Sequence, residues 1–304
     1  MSIACAIAIP ARNESALLGR CLDALGTQTI GSDKFTVVVL ANNCDDDTAL
    51  IAKETASLDA VVIERMFAVG EAHAGSARRA AMAEAAHHAE IILTTDADCV
   101  PDANWVEKML EAFYRGVDAV AGRVSGDWSE MCHWPQAVLD IGALEWKYLA
   151  LMAEAEAVFD PRPYDPAPRH AQRCGANLGI TRAMLERVGG VPAIATGEDR
   201  AVLAAVENLG GRVRHEPCSH VTASARTSGR AVGGMADALA SRIRDDYRCG
   251  PEFEAAEVLV TRLKARAGRR TVAHTSSVQR RMRPCELADE MDRLNALIEQ
   301  ARAR

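Results

Sequence analysis

The 304-residue sequence predicts an α/β fold: a mostly parallel sheet flanked by helices, with helical additions at the carboxyl end. Strand-like and helix-like stretches alternate from residue 3 to residue 98, and polar clusters fall where the strand-like stretches stop. The run Ile91-Ile92-Leu93-Thr94-Thr95-Asp96-Ala97-Asp98 combines both signs, a short apolar segment ending in two carboxylates one residue apart. In chain order, Ile3 to Ile9 reads as a buried strand closed by Pro10. Ser15 to Leu25 is a helix with an apolar stripe at Leu17, Leu18, Cys21, Leu22 and Leu25. Thr36 to Leu40 is the next strand, Thr48 to Ser57 a helix, Ala60 to Glu64 a strand, and Ser76 to Ala86 an Ala-rich helix leading into the Ile91 strand. Such alternation implies right-handed crossovers, and ligands then bind beyond the carboxyl ends of the strands.

Three clusters occupy those ends: Arg12-Asn13-Glu14, Asn42 to Thr48, and Asp96-Ala97-Asp98. Carboxylates at i and i+2 past a buried strand can share one hard divalent cation through oxygen, leaving its other positions for phosphate oxygens. That chemistry suits a nucleoside diphosphate.

Ile9-Pro10-Ala11-Arg12-Asn13-Glu14 resembles the opening motif of family 2 glycosyltransferases, and Leu40 to Thr48 is similar to their second motif. Gly75-Ser76-Ala77-Arg78 resembles the segment upstream of their Asp-x-Asp, and Gly197-Glu198-Asp199-Arg200 their later acidic motif. The resemblance, over about residues 3 to 215, implies a GT-A (Rossmann-like) fold, a nucleotide-diphosphate sugar donor, Mn2+ or Mg2+, and inversion at the anomeric carbon. Its second motif departs from the family: Ala41 stands where relatives carry an acid that reads the base, which leaves that task to Asn42, Asn43 or the backbone. The donor nucleoside is expected on Pro10, Ala11, Asn13, Glu14 and the Asn42 to Asp46 turn, with Arg78 nearby and Glu14 accepting from ribose hydroxyls.

A 49% hydrophobic chain of this length can bury a large core. No apolar stretch approaches a membrane span, and the amino terminus reads as a strand rather than a leader, so the expectation is a cytoplasmic protein without an integral membrane segment. Nine cysteines, an odd number without a Cys-x-x-Cys pair, read as reduced thiols and argue against zinc. A net charge of −7 disfavours nucleic acid as a partner.

The expected organisation is a nucleotide-sugar-binding half (1–125), an acceptor-binding half of the same domain (126–250) and a helical extension (251–304). From Val124 to Gln172 the alternation lapses. Trp128, Trp134, Trp146, Tyr148 and Tyr164 gather there, Ala137 to Ala155 fits one long helix, and Pro161, Pro163, Pro166 and Pro168 mark a loop. Those tryptophans either serve an acceptor-binding lid or close a small core. The sheet resumes at Cys174 to Thr181, where Gly175-Ala176-Asn177 resembles the family segment lining the donor sugar. Glu198 and Asp199 open a helix running to Leu209. Inverting transfer needs a carboxylate to take the acceptor's hydroxyl proton, and Asp199 is the candidate, with Glu198 binding the acceptor or standing in. The resemblance also implies a histidine as third metal ligand beside Asp96 and Asp98, and His220 is at a suitable spacing. Arg226, Arg230 and the Gly-rich stretch from Gly229 to Gly234 could close over the diphosphate as a charged flap, since arginine suits bidentate phosphate contacts. Phe253 to Ala267 and Cys285 to Ala303 have helical spacing. The last helix could fold back on the domain or pair with a second subunit in a homodimer, and arginines crowd the linker between them.

Three other readings fit parts of the pattern. A retaining enzyme resembling the glycosyl-phosphoglycerate synthases would differ in product configuration. A sugar-phosphate nucleotidyltransferase would need a Gly-rich loop after the first strand, which is missing. A non-catalytic nucleotide-sugar-binding protein would bind without turnover.

Overall fold

The computed structural model describes residues 3–55, 57–227, 229, 234–242, 244, 246–268 and 281–303. In chain order the elements are β1 (Cys5–Ala11), α1 (Leu18–Gly26), β2 (Phe35–Asn42), α2 (Thr48–Glu54), β3 (Ala60–Arg65), α3 (Ala74–Ala85), β4 (Ile91–Thr94) and β5 (Cys99–Pro101). There follow α4 (Trp105–Phe113), β6 (Ala119–Gly126), α5 (Trp128–Met131), α6 (Gln136–Phe159), β7 (Leu178–Thr181), α7 (Arg182–Arg187), α8 (Glu198–Asn208) and β8 (Val213–Ala223). Three helices end the chain: α9 (Met235–Ser241), α10 (Ala256–Ala267) and α11 (Pro284–Arg302).

The strands form one sheet in the order β3-β2-β1-β4-β7-β6-β8-β5. It is mostly parallel, the exceptions being β7, antiparallel to both β4 and β6, and β5, antiparallel to β8. Strand alternation divides the core. Cys5, Ile7 and Ile9 of β1 face α1 and α4, where Leu18, Leu22, Trp105 and Met109 are buried. Ala6 and Ala8 face the other layer, with Ala81 and Met82 of α3 and Val202, Leu203 and Val206 of α8. Small residues on that face let α3 lie close over β1.

Pro10 does not close β1; it lies inside it, paired with Leu40. The Ala8 carbonyl faces β4, taking the Thr95 amide, so by alternation the Pro10 nitrogen faces the same way. The last β1–β4 pair is Ala8 with Thr94, so no ladder bond is lost at Pro10.

A third cluster joins α6, α10 and α11 through Tyr148, Leu151, Leu259, Leu263, Leu287, Leu294 and Ile298. The last helix therefore folds back on the chain. Trp128 and Trp146 are 65% and 42% exposed, which overturns the reading of these two as the seal of a small core, while Trp134 is half-buried. The buried tryptophan is Trp105. Among the described residues no helix is long and apolar enough to cross a membrane. The linker arginines Arg269, Arg270 and Arg280, and Arg230, lie outside the described residues.

Candidate active site at the strand ends

A cavity of about 550 Å³ opens past the carboxyl ends of the central strands, lined by Pro10, Glu14, Asn42, Arg78, Asp96, Ala97, Asp98, Gly175, Glu198, Asp199 and Arg226. Asp96 and Asp98 occupy the short link from β4 to β5. The Cys99 amide donates to the Asp96 carbonyl (3.1 Å), and the Ser224 amide beyond β8 donates to the Asp98 carbonyl (3.1 Å). Ligand atoms of Asp96, Asp98 and Cys99 lie within 4.8 Å of one another. Burial holds the Cys99 thiol well above its usual range, which leaves a hard cation two carboxylates. Burial, and then the neighbouring Asp96, push Asp98 up to about 7. Crowded negative charge of this kind is what a divalent cation relieves, and the donor set fits Mn2+ or Mg2+.

Arg78 organises the opposite wall. It is 5% exposed. Its Nε donates to Glu198 (3.0 Å), one terminal nitrogen to Thr94 Oγ1 and the Gly175 carbonyl (both 3.0 Å), and the other to Asp96 (2.7 Å). Burial opposes its charge, but Asp96 and Glu198 more than offset that and raise its pKa. A Cβ on Gly175 would stand 2.5 Å from the Arg78 guanidinium carbon, so only glycine fits there.

Glu198 and Asp199 differ in availability. Glu198 is buried and held by Arg78. Asp199 keeps access to the cavity, while its oxygens accept from the Gly175 amide (2.9 Å) and the Arg200 amide (2.7 Å).

Of the residues expected to hold the nucleoside, Pro10, Glu14 and Asn42 line the cavity. Asn13, Asn43 and Asp46 are spent on the turns behind it. Asn13 (φ 53°) and Asn43 (φ 48°) take the left-handed backbone that asparagine tolerates. The Asn13 carbonyl oxygen accepts from the Asp45 amide (3.0 Å), and Asn43 exchanges two 3.0 Å bonds with the Phe67 backbone. Asp46 accepts from the Ser15 and Thr48 amides (3.1 and 3.0 Å); desolvation works against its charge, but these bonds and the Thr48 hydroxyl bring it down to about 2. Ala11 is buried in β1, its carbonyl 3.6 Å from the Cys44 sulfur. Both Glu14 oxygens meet Arg226 instead of open space for a ribose.

Two further expected residues are not brought to the site. Asn177 is fully buried, and its side chain is used up inside the core: its oxygen accepts from Trp105 Nε1 (2.8 Å) and Ser219 Oγ (3.2 Å), and its amide donates to the Arg123 and Ser219 carbonyls (2.9 and 3.2 Å). His220 bonds Ser125 Oγ (2.9 Å) and Asp102 (3.2 Å), and does not join the Asp96–Asp98 group. It sits four residues down β8 from Ser224, about 13 Å at strand rise. Conversely, Arg12, His73, Arg200, Glu252 and Arg281 also line the cavity. Arg12 and Arg200 were legible as members of the first motif and the later acidic motif; His73, whose Nδ1 caps α3 at the Ser76 amide (3.2 Å), has no local sequence signal.

Residues 6–139 match the family model described as glycosyl transferase family 2. That stretch is similar to family 2 glycosyltransferases. Over 122 residues the chain is 30% identical to the glycosyltransferase AglE of Haloferax volcanii, an alignment taking in 39% of this chain and 38% of AglE, well under half of that relative. The fold is that of solved GT-A structures. S. aureus TarS, in complex with UDP-GlcNAc, superposes with a TM-score of 0.55 at 14% identity, over 99% of this chain and 81% of that one. The mannosyltransferase PcManGT from Pyrobaculum calidifontis, in complex with GDP-Man and Mn2+, gives 0.54 at 18%, over 99% and 76%. The family 2 match ends inside α6, so Glu198, Asp199 and Arg226 reach its cavity from later in the chain.

Proposed function

We propose that the protein transfers a sugar, with inversion, from a nucleotide-diphosphate donor to a hydroxyl acceptor, using Mn2+ or Mg2+. One observation carries the reading: the Asp96–Asp98 pair and the separately anchored Asp199 line the same cavity. Asp96 and Asp98 would hold the cation, which when bound neutralises charge on the departing diphosphate. Pro10 and Asn42 line the floor where the nucleoside would rest. Asp199 takes the acceptor hydroxyl proton as that oxygen bonds to the anomeric carbon and the bond to the diphosphate breaks, giving a nucleoside diphosphate. The bonds from the Gly175 and Arg200 amides hold the Asp199 carboxylate in one orientation for that transfer. The complexes of TarS with UDP-GlcNAc and of PcManGT with GDP-Man and Mn2+ support this use of the fold. Nine free thiols support a reducing, cytoplasmic setting.

Asp199→Asn keeps shape and removes basicity, so turnover with a verified acceptor should fall about 100-fold or more while donor affinity changes little. Near-wild-type turnover would move the base elsewhere, Glu198 first. A product that keeps the donor's anomeric configuration would replace inversion with the retaining mechanism.

A further inference from the structure

The first motif ends in Glu14, and its side chain is nearly enclosed, 8% exposed. Its backbone amide is fixed to Thr48 Oγ1 (2.8 Å). One guanidinium answers that carboxylate, from 212 residues away: Arg226 donates through one terminal nitrogen to Glu14 Oε2 (2.8 Å) and through the other to Oε1. The second nitrogen also reaches Asp98 Oδ2 at 3.1 Å. A single nitrogen thus bridges Glu14 and a carboxylate of the candidate cation site. The backbone just before Arg226 is fastened as well, with Ser224 Oγ and the Ala225 amide donating to Glu130 (2.9 and 2.7 Å).

We propose that Glu14 is a positioning residue that tethers Arg226, and that Arg226 occupies Asp98 until the divalent cation takes that oxygen and then offers its freed N–H to the donor diphosphate. The inference rests on the metal and diphosphate reading above. Arg226 cannot follow Asp98 away from Glu14 without stranding an enclosed carboxylate, which is strongly disfavoured. A cation arriving at Asp98 therefore removes one of the guanidinium's partners and leaves the other two bonds in place. With five donors in a planar fork, Arg226 then has N–H groups to spare beside a diphosphate, held by Glu14 at the cavity wall. Competition at Asp98 also couples the two ligands: metal without diphosphate must displace Arg226, whereas metal with diphosphate gives it a new partner.

Calorimetry with manganese alone, and with UDP or GDP in the presence of manganese, tests this. Arg226→Gln should bind manganese alone severalfold tighter than wild type and the nucleotide with manganese severalfold weaker, a sign reversal that general damage would not produce. Glu14→Gln should weaken manganese binding by handing Arg226 wholly to Asp98, and adding Arg226→Gln should restore it. Arg226→Lys keeps a charge beside Glu14 but cannot span both carboxylates, so an intermediate manganese affinity is expected even if the glutamine variant folds poorly. Unchanged or weaker manganese binding in both Arg226 variants, with Asp98→Asn abolishing it, overturns the tether and leaves the proposed function standing. If the wild type binds no manganese, or Asp98→Asn binds it as wild type does, the metal reading fails and the tether fails with it.

Discussion

At the strand ends, Glu14, Asp96 and Asp98 crowd one cavity and share Arg78 and Arg226. Around the 160–173 loop, Arg162, Arg169, Arg173, Arg214 and Arg266 meet Asp160, Asp165, Glu156, Glu207 and Glu216 inside the molecule. Asp165, fully enclosed, is engaged by Arg169 (2.8 Å), Arg214 (3.3 Å), and both the backbone and the ring of His215 (2.8 and 2.9 Å). Burial works against its charge, yet His215 and Arg169 hold it down at about 2, while burial and Asp96 take Asp98 up to about 7. The same residue type, both times largely out of water, is driven in opposite directions by its neighbours. Where cations match carboxylates the charges brace a Pro-rich loop against β8 and α6; where carboxylates outnumber the cations they share, the surplus invites a ligand.

The widest separation of the two regions should come from Asp165→Ala. It removes the carboxylate shared by Arg169, Arg214 and His215, leaving Arg169 to Glu156 and Arg214 to Glu216, and breaking one side of a buried ionic group costs about 3 to 5 kcal/mol. Urea unfolding should show that loss, while nucleotide affinity well below the melting temperature stays unchanged. Lost affinity at preserved stability would mean that the brace belongs to the site.

Acid should expose the brace next. Burial, and then His215, push His170 down to about 3, so below the ordinary histidine value near 6.5 the unfolded chain binds the proton and the fold does not. Stability from this group is complete above about pH 6.5 and declines as pH falls toward 3. Glu156, with burial opposed by Arg169 and Arg266, and Asp165 are both held at about 2; their contributions are complete above the ordinary carboxylate range and disappear as pH drops through about 2. In an Asp98→Asn background, which removes the proton uptake of opposite sign at Asp98, the loss from His170 should lower the urea-derived stability by about 2 kcal/mol between pH 7 and 5. A flat profile over that interval would show that the buried histidines take protons without penalty.

A smaller effect tests the hinge between chemistry and packing. Gly175→Ala drives a methyl into the Arg78 guanidinium and should cost about 1 to 3 kcal/mol while disturbing Asp96 and Glu198. Gly19→Ala, in α1 with nothing within 4 Å of the added carbon, should be neutral or stabilising by up to about 1 kcal/mol. Equal melting temperatures for the two variants would remove the steric argument.

What the sequence disclosed follows from the range of the forces involved. Strand and helix periods are local, so the elements from β1 to β4 and the polar turns after them were legible, Asp96 and Asp98 included. Partners far apart in the chain were not. Nothing near Glu14 announces Arg226, and nothing near Asn177 says that Trp105 and Ser219 will claim its amide group. His220 has a metal ligand's spacing in the chain, but strand rise carries it along β8 to Ser125 and Asp102. The exposed tryptophans mislead for a related reason: α6 turns Tyr148, not Trp146, toward α10 and α11.

The finest test carries the opposite sign from the first. Asp98→Asn keeps the side-chain shape, removes a charge that faces Asp96 and Glu14, and leaves Arg226 to Glu14 alone. In the metal-free protein, relief of that crowding should slightly outweigh removal of the 3.1 Å ion pair with Arg226, a gain of up to about 1 kcal/mol in urea unfolding with chelator present. Added manganese should then reverse the order, because binding stabilises the wild type by mass action and the variant lacks the ligand. If Asp98→Asn instead destabilised the metal-free protein by as much as Asp165→Ala, the Arg226–Asp98 pair would be a brace like the one around the loop, and surplus charge would no longer distinguish the site from the scaffold.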